Sequence, residues 1–165
     1  MMKKILSSNI TWLFLLAGIV IFYYFRYRTA PDIAFSETKV KTTSGEEIFM
    51  SSKIEGPTVV HFYASWCGPC LTEMRELNTQ MSAGKLSELN FLFITDDNEQ
   101  QIERISGTMP SQIQFLQVPS LKEEGIYTLP TTYFVNSAGA VVKQQVEPCD
   151  WGNPQFQQDI LSLTK

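Results

Sequence analysis

The chain has 165 residues, 44% of them hydrophobic and 18% charged, with a formal net charge of −4 and three cysteines. That length fits one ordinary domain and not two of comparable size; three cysteines are too few for a disulfide-stapled miniprotein, and the acidic balance excludes nucleic acid as the main ligand, because phosphate binding needs clustered Lys and Arg. The single histidine, His61, puts most zinc-enzyme constellations out of reach.

Charge divides the chain unevenly. Residues 1–30 hold Lys3, Lys4, Arg26 and Arg28 and no acid, whereas all 17 acidic residues lie from Asp32 onward. Between Lys4 and Arg26 run 21 uncharged residues, Ile5 to Phe25. As a helix they rise roughly 32 Å, close to the hydrocarbon thickness of a bilayer. Trp12 at one end and Tyr23, Tyr24 and Tyr27 at the other suit the two interfaces. A cleaved secretory signal fits less well, because Phe25 to Ala30 lacks small residues at the usual −3 and −1 positions. No cysteine follows the apolar run, which excludes a lipoprotein anchor. The expected division is a membrane anchor over 1–29, a linker over 30–38 and a domain over 39–165. The basic residues tie across the span, and the short N-terminus favours an extracytoplasmic C-terminal domain on the cell membrane.

Val40–Thr43 and Glu46–Met50 around Ser44-Gly45 predict two short strands. After Gly56-Pro57, the β-branched and aromatic run Thr58–Tyr63 predicts a strand covered on both faces. Leu71, Met74, Leu77 and Met81 carry the apolar face of a helix over Pro69–Met81. Asn90–Thr95 is a second buried strand. Asp96, Asp97 and Asn98 read as the cap of a helix over Glu99–Ser106, closed by Gly107. Phe115–Val118 reads as a short strand, and Thr131–Val135 with Ala140–Val146 as a hairpin. Asn153-Pro154 opens the last helix, with Phe156, Ile160, Leu161 and Leu163 on its apolar side. The order ββ-β-α-β-α-β-ββ-α predicts an α/β domain with a mixed sheet.

The chemistry concentrates in Trp66-Cys67-Gly68-Pro69-Cys70, between a buried strand and a helix. Cys67 at the helix tip is placed where free N–H groups and the dipole favour thiolate. Cys70, one turn inside, is placed to attack a mixed disulfide on Cys67. Gly68 is read as permitting the tight entry, and Pro69 as starting the helix without needing an N–H partner. Strand, Cys-x-x-Cys, helix is a strong redox signature.

Phe62 to Cys70, Glu73 and Leu129-Pro130-Thr131 together resemble the thioredoxin superfamily, and more narrowly its membrane-anchored TlpA/ResA-like thiol–disulfide oxidoreductases. The resemblance covers roughly Phe35 to Leu163. It implies a thioredoxin-like fold, a mixed central sheet flanked by helices, behind one transmembrane helix. It implies that Pro130 is a cis-proline facing the disulfide and presenting the Leu129 backbone to an extended client. Trp66, Gly68, Pro69, Leu129 and Pro130 are the expected client-contacting set, and Glu73 the acid that moves protons for Cys70, against the alternative of an exposed first-turn Glu. No cofactor is implied beyond the redox-active Cys67–Cys70 disulfide, and no metal.

Two positions depart from the family pattern. His61 stands where thioredoxins carry a buried acid, and reads either as a proton relay or as a satisfied core histidine. Arg75 replaces a proline and implies a straighter helix. Cys149 reads as a free small hydrophobe, with an exposed, chain-linking thiol as the alternative, and Trp151 as a packing residue. Asp96, Asp97 and Glu99 fit a helix cap better than a metal site.

The expected function is reduction of disulfides in client proteins, with electrons from a membrane thiol donor and cytochrome c maturation as a setting. The alternative is a copper module using the same two cysteines. A peroxidase would need a lone cysteine preceded by Thr or Pro, which Ser65-Trp66-Cys67 does not offer.

Overall fold

The computed structural model describes residues 2–165, with side-chain surroundings from residue 10 onward. Helix α1 (Met2–Tyr27) is followed by β1 (Lys39–Thr42), β2 (Glu47–Phe49), a 3₁₀ turn (Met50–Lys53) and β3 (Thr58–Phe62). Then come α2 (Gly68–Ser82), β4 (Asn90–Thr95), α3 (Glu99–Ser106), β5 (Ile113–Gln117), β6 (Thr131–Val135), β7 (Val141–Gln145) and α4 (Pro154–Leu163). The seven strands form one sheet in the order β2-β1-β5-β4-β3-β6-β7. β3, β4 and β5 run parallel, and the other pairs are antiparallel.

Every residue of β3 and of β6 is buried, as continuous apolar runs in the middle of a sheet require. Alternate side chains feed two cores. Val59, Phe91, Phe93 and Phe134 join Met74, Leu77, Ile102, Ile105 and Ile160, so α2, α3 and α4 share one face of the sheet. Val60, Phe62, Leu92, Ile94, Tyr133 and Val135 point the other way and are covered by Phe35, Met50, Leu121 and Ile126 from the 3₁₀ turn and irregular segments. In α4 the apolar side differs from expectation: Leu163 is exposed and Gln157 buried, because Gln157 turns inward to hydrogen-bond Gln80 and the Trp151 carbonyl.

Helix α1 contains one apolar stretch, Ile10–Tyr27, with mean hydropathy 1.6, long enough to cross a membrane and not covered by the rest of the chain. Its C-terminal end is docked. The Arg26 guanidinium lies 3.2 Å from the Tyr127 ring centroid, and Thr128 Oγ1 donates to the Tyr27 carbonyl at 2.8 Å. The Tyr133 hydroxyl donates to the Pro31 carbonyl at 2.6 Å, and Phe35 is buried. The segment between helix and domain is therefore laid against the sheet, next to the loop that leads into Pro130.

Candidate active site

Strand β3 ends at Phe62, and the chain turns through Tyr63–Trp66 to reach the N-terminus of α2. Two carboxylate hydrogen bonds fix that turn. Ser65 N–H donates to Asp97 Oδ2 at 2.6 Å and Ser65 Oγ to Asp97 Oδ1 at 3.0 Å, while Gln101 Nε2 donates to Ser65 Oγ at 2.9 Å. Asp97 is therefore not the cap of α3. Asn98 caps it through a reciprocal capping box with Gln101, which leaves Asp97 free to hold the redox loop. Asp96 receives Leu121 N–H and Glu99 pairs with Lys41, so the acidic cluster is shared among three separate tasks.

Cys67 is the N-cap of α2, its Sγ accepting from Cys70 N–H at 3.2 Å, and Pro69 sits in the first turn. Cys67 and Cys70 form a disulfide, S–S 2.04 Å. Cys67 is 5% exposed and Cys70 fully buried, so an incoming sulfur can reach only Cys67. The N-cap position sets Cys67 against the first N–H groups of α2. Trp66 stands beside it, 76% exposed. Gly68 has an ordinary backbone conformation, and a Cβ there would meet nothing within 4 Å. The turn does not require glycine; what glycine does is leave the surface next to Cys67 bare.

The Leu129–Pro130 peptide is cis. Thr131, the next residue, pairs with Phe62 across β3 and β6, which sets Pro130 at the end of the sheet from which the Cys67 loop leaves. Pro130 is buried and Leu129 partly exposed, and proline adds no N–H donor at this corner.

Glu73 follows Cys70 by three residues, on the same face of α2, and is buried with Met74 and Leu77. The alternative of an exposed first-turn Glu is therefore discarded. Its Oε1 accepts from Trp151 Nε1 at 3.0 Å, and His61 Nδ1 stands 3.7 Å from the same oxygen. His61 Nδ1 is also 2.9 Å from Thr132 Oγ1. Burial pushes the imidazole below its ordinary range, with Glu73 offsetting this in part. Cys149 is free and buried beside Glu73 and Thr132; burial, then the neighbouring Glu73 charge, pushes its thiol far up. It is the free, buried small side chain expected, packed in the core on the α2 side of the sheet, and not an exposed thiol. Trp151 packs on Phe91, Phe134 and Phe156, as expected, and also carries the hydrogen bond to Glu73.

Sequence reasoning missed Ser65 and Asp97 as supports of the loop, Cys149 and Trp151 as neighbours of Glu73, and Thr132 as the partner of His61. A signal for the first existed: an Asn-x-x-Gln box at Asn98 makes a second cap superfluous.

The sequence profile described as the AhpC/TSA family matches residues 28–144. The sporulation thiol-disulfide oxidoreductase A of Bacillus subtilis (strain 168) is 26% identical over 116 residues, 66% of this chain and 70% of that protein. The crystal structure of StoA from Bacillus subtilis superposes with a TM-score of 0.54 at 22% identity, covering 78% of this chain and 96% of that one. A thiol:disulfide interchange protein of the thioredoxin family from Chlorobium tepidum TLS superposes with a TM-score of 0.61 at 19% identity, covering 83% and 99%. These likenesses show a thioredoxin-like fold.

Proposed function

The chain belongs to the AhpC/TSA family of thioredoxin-like proteins, and on that premise we propose that it reduces protein disulfides outside the cytoplasm, tethered to the cell membrane by α1. The observation that carries the reading is the Cys67–Cys70 disulfide at the N-terminus of α2, with only Cys67 open to attack. The similarity to a sporulation thiol-disulfide oxidoreductase supports it, as does the apolar stretch Ile10–Tyr27.

In the reduced protein the Cys67 thiolate attacks one sulfur of a client disulfide. The client S–S bond breaks, a Cys67–client disulfide forms, and the first client sulfur leaves as a thiolate that takes a proton from water. Cys70 then gives its thiol proton to the Glu73 carboxylate and attacks Cys67 Sγ. The Cys67–client bond breaks, Cys67–Cys70 forms, and the second client thiolate leaves. Two electrons pass from the protein dithiol to the client. A membrane dithiol donor reverses the sequence and regenerates the dithiol, with Glu73 returning the proton to Cys70. Trp66, Gly68, Pro69, Leu129 and Pro130 form the surface that receives the client, the Leu129 backbone pairing with it as a short strand. Apocytochromes c with oxidised haem-binding cysteines are one client class of this kind.

A peroxidase is the other chemistry open to a reactive cysteine in this family. The resolving Cys70 three residues from Cys67, on the same helix, favours exchange with disulfides. The test uses the full chain in phospholipid vesicles, reduced beforehand, with a disulfide-linked fluorescent peptide or hydrogen peroxide as oxidant. Rapid peptide reduction that is lost in Cys67→Ser, with slow peroxide consumption, is expected. Faster turnover of peroxide than of the peptide overturns the proposal.

A further inference from the structure

Several side chains outside the exchange chemistry converge on Glu73, and they approach it from one side. Trp151 Nε1 and His61 Nδ1 both address Oε1, at 3.0 and 3.7 Å. The buried Cys149 thiol lies beside Glu73 and Thr132, and Thr132 itself touches His61. All three neighbours are at most 5% exposed, and Glu73 is 4% exposed. The other carboxyl oxygen, Oε2, is buried and has no hydrogen-bond partner among the described residues, and neither does His61 Nε2. A buried carboxyl with one oxygen gripped and the other bare has a defined use beside Cys70. A fixed partner on Oε2 would have to be displaced at each proton transfer, whereas a partner on Oε1 would not.

The grip is rigid. The Trp151 carbonyl accepts from the buried Gln157 side chain, and the indole is wedged between Phe91 and Phe156 with ring centroids 5.7 and 5.4 Å away. Trp151 and Cys149 ride on one loop, between β7 and α4. The titratable groups facing Glu73 are His61 from β3, Cys149 from that loop and Cys70 on α2 itself. Lys143 of β7 acts on Cys149 from further off, and Glu76 flanks the loop at Gly152.

We propose that Trp151 and His61, with Cys149 packed beside them, are positioning residues that hold Glu73 by Oε1 and keep Oε2 free as the atom exchanging a proton with Cys70. This rests on the role given to Glu73 above. An N–H donor on a carboxylate oxygen favours the ionised form, so removing the Trp151 N–H tests the hold directly.

The experiment follows resolution of a Cys67 mixed disulfide with 5-thio-2-nitrobenzoate by Cys70, in the full chain in detergent micelles, across the pH range. In Glu73→Gln the acid limb of the rate profile disappears. Trp151→Phe, which removes the N–H, moves the limb up by about one pH unit, about tenfold slower on that limb. Cys149→Ala, which removes the thiol packed beside Glu73, moves it in the same direction by less. In the Glu73→Gln background neither change alters the profile further. Unmoved limbs in both single variants, with the limb lost in Glu73→Gln, overturn the positioning role alone. A wild-type limb in Glu73→Gln overturns the role of Glu73 and this inference with it. Should Trp151→Phe not fold, Cys149→Ala decides the question by the same criteria.

Discussion

Replacing Asp97 by Ala removes the two hydrogen bonds that pin the loop ahead of Cys67. Both run from Ser65 to a carboxylate that is 5% exposed, at 2.6 and 3.0 Å. Hydrogen bonds to charged groups are each worth about 1.5–3 kcal/mol. Gln101 keeps its bond to Ser65 Oγ, and the freed Ser65 groups are partly reachable by water. The lower end therefore applies to both, and the expected loss is about 3 kcal/mol. For a chain of this size that lowers Tm by roughly 10 °C. Asp97→Asn keeps an acceptor but loses the charge, and is expected to lose about half as much. Thermal unfolding of the full chain in micelles, followed by circular dichroism, reads both. A Tm for Asp97→Ala within about 3 °C of the parent would refute the reasoning, since it would make the Asp97–Ser65 contact energetically idle.

Three further outcomes follow from single residues. Burial lowers the His61 pKa in the fold from its ordinary value of 6.5; stability is therefore full above that pH and falls below it, by at most about 1.4 kcal/mol per pH unit. His61→Gln should flatten the decline between pH 7 and 5, and a slope equal to the parent's contradicts the assignment. Cys149, its thiol pushed up by burial, should resist maleimide in the folded, reduced protein while Cys67 reacts, and should be labelled only after denaturation; equal labelling rates would show that the pocket opens freely. Gly68→Ala should leave Tm within about 2 °C, because its Cβ meets nothing within 4 Å; a large loss would mean that glycine is needed for the turn after all.

The features of this chain that were legible in sequence are local ones. Asn90–Thr95 and Thr131–Val135 are strands at the expected bounds, since unbroken β-branched and aromatic runs have few other uses in a mixed sheet. The helix over Glu99–Ser106 likewise matches, its ends marked by Asn98 and Gly107. Strand β5 begins earlier than expected, at Ile113, because the polar Gln114 between Ile113 and Phe115 disguises a period-two pattern. The redox pair and the cis-proline were legible through the family pattern, and Cys-x-x-Cys also through the physics of a helix N-terminus. The surroundings of Glu73 were not. Its contact with Trp151 spans 78 positions, and no local period reports a contact at that distance. Cys149 is the free small side chain that was expected, but its place beside Glu73 and Thr132, on other elements, was not legible.

The most direct test of the central claim is the reduction potential of the Cys67–Cys70 couple. The full chain, in micelles, is equilibrated in graded thiol buffers, alkylated and read by peptide mass. A value near or below about −250 mV, on the thioredoxin side of the scale, is expected of a reductase supplied with electrons from the membrane. A value near −120 mV, at the strongly oxidising end, would contradict reduction as the direction of exchange, and a pair that never closes reversibly would contradict the oxidoreductase itself.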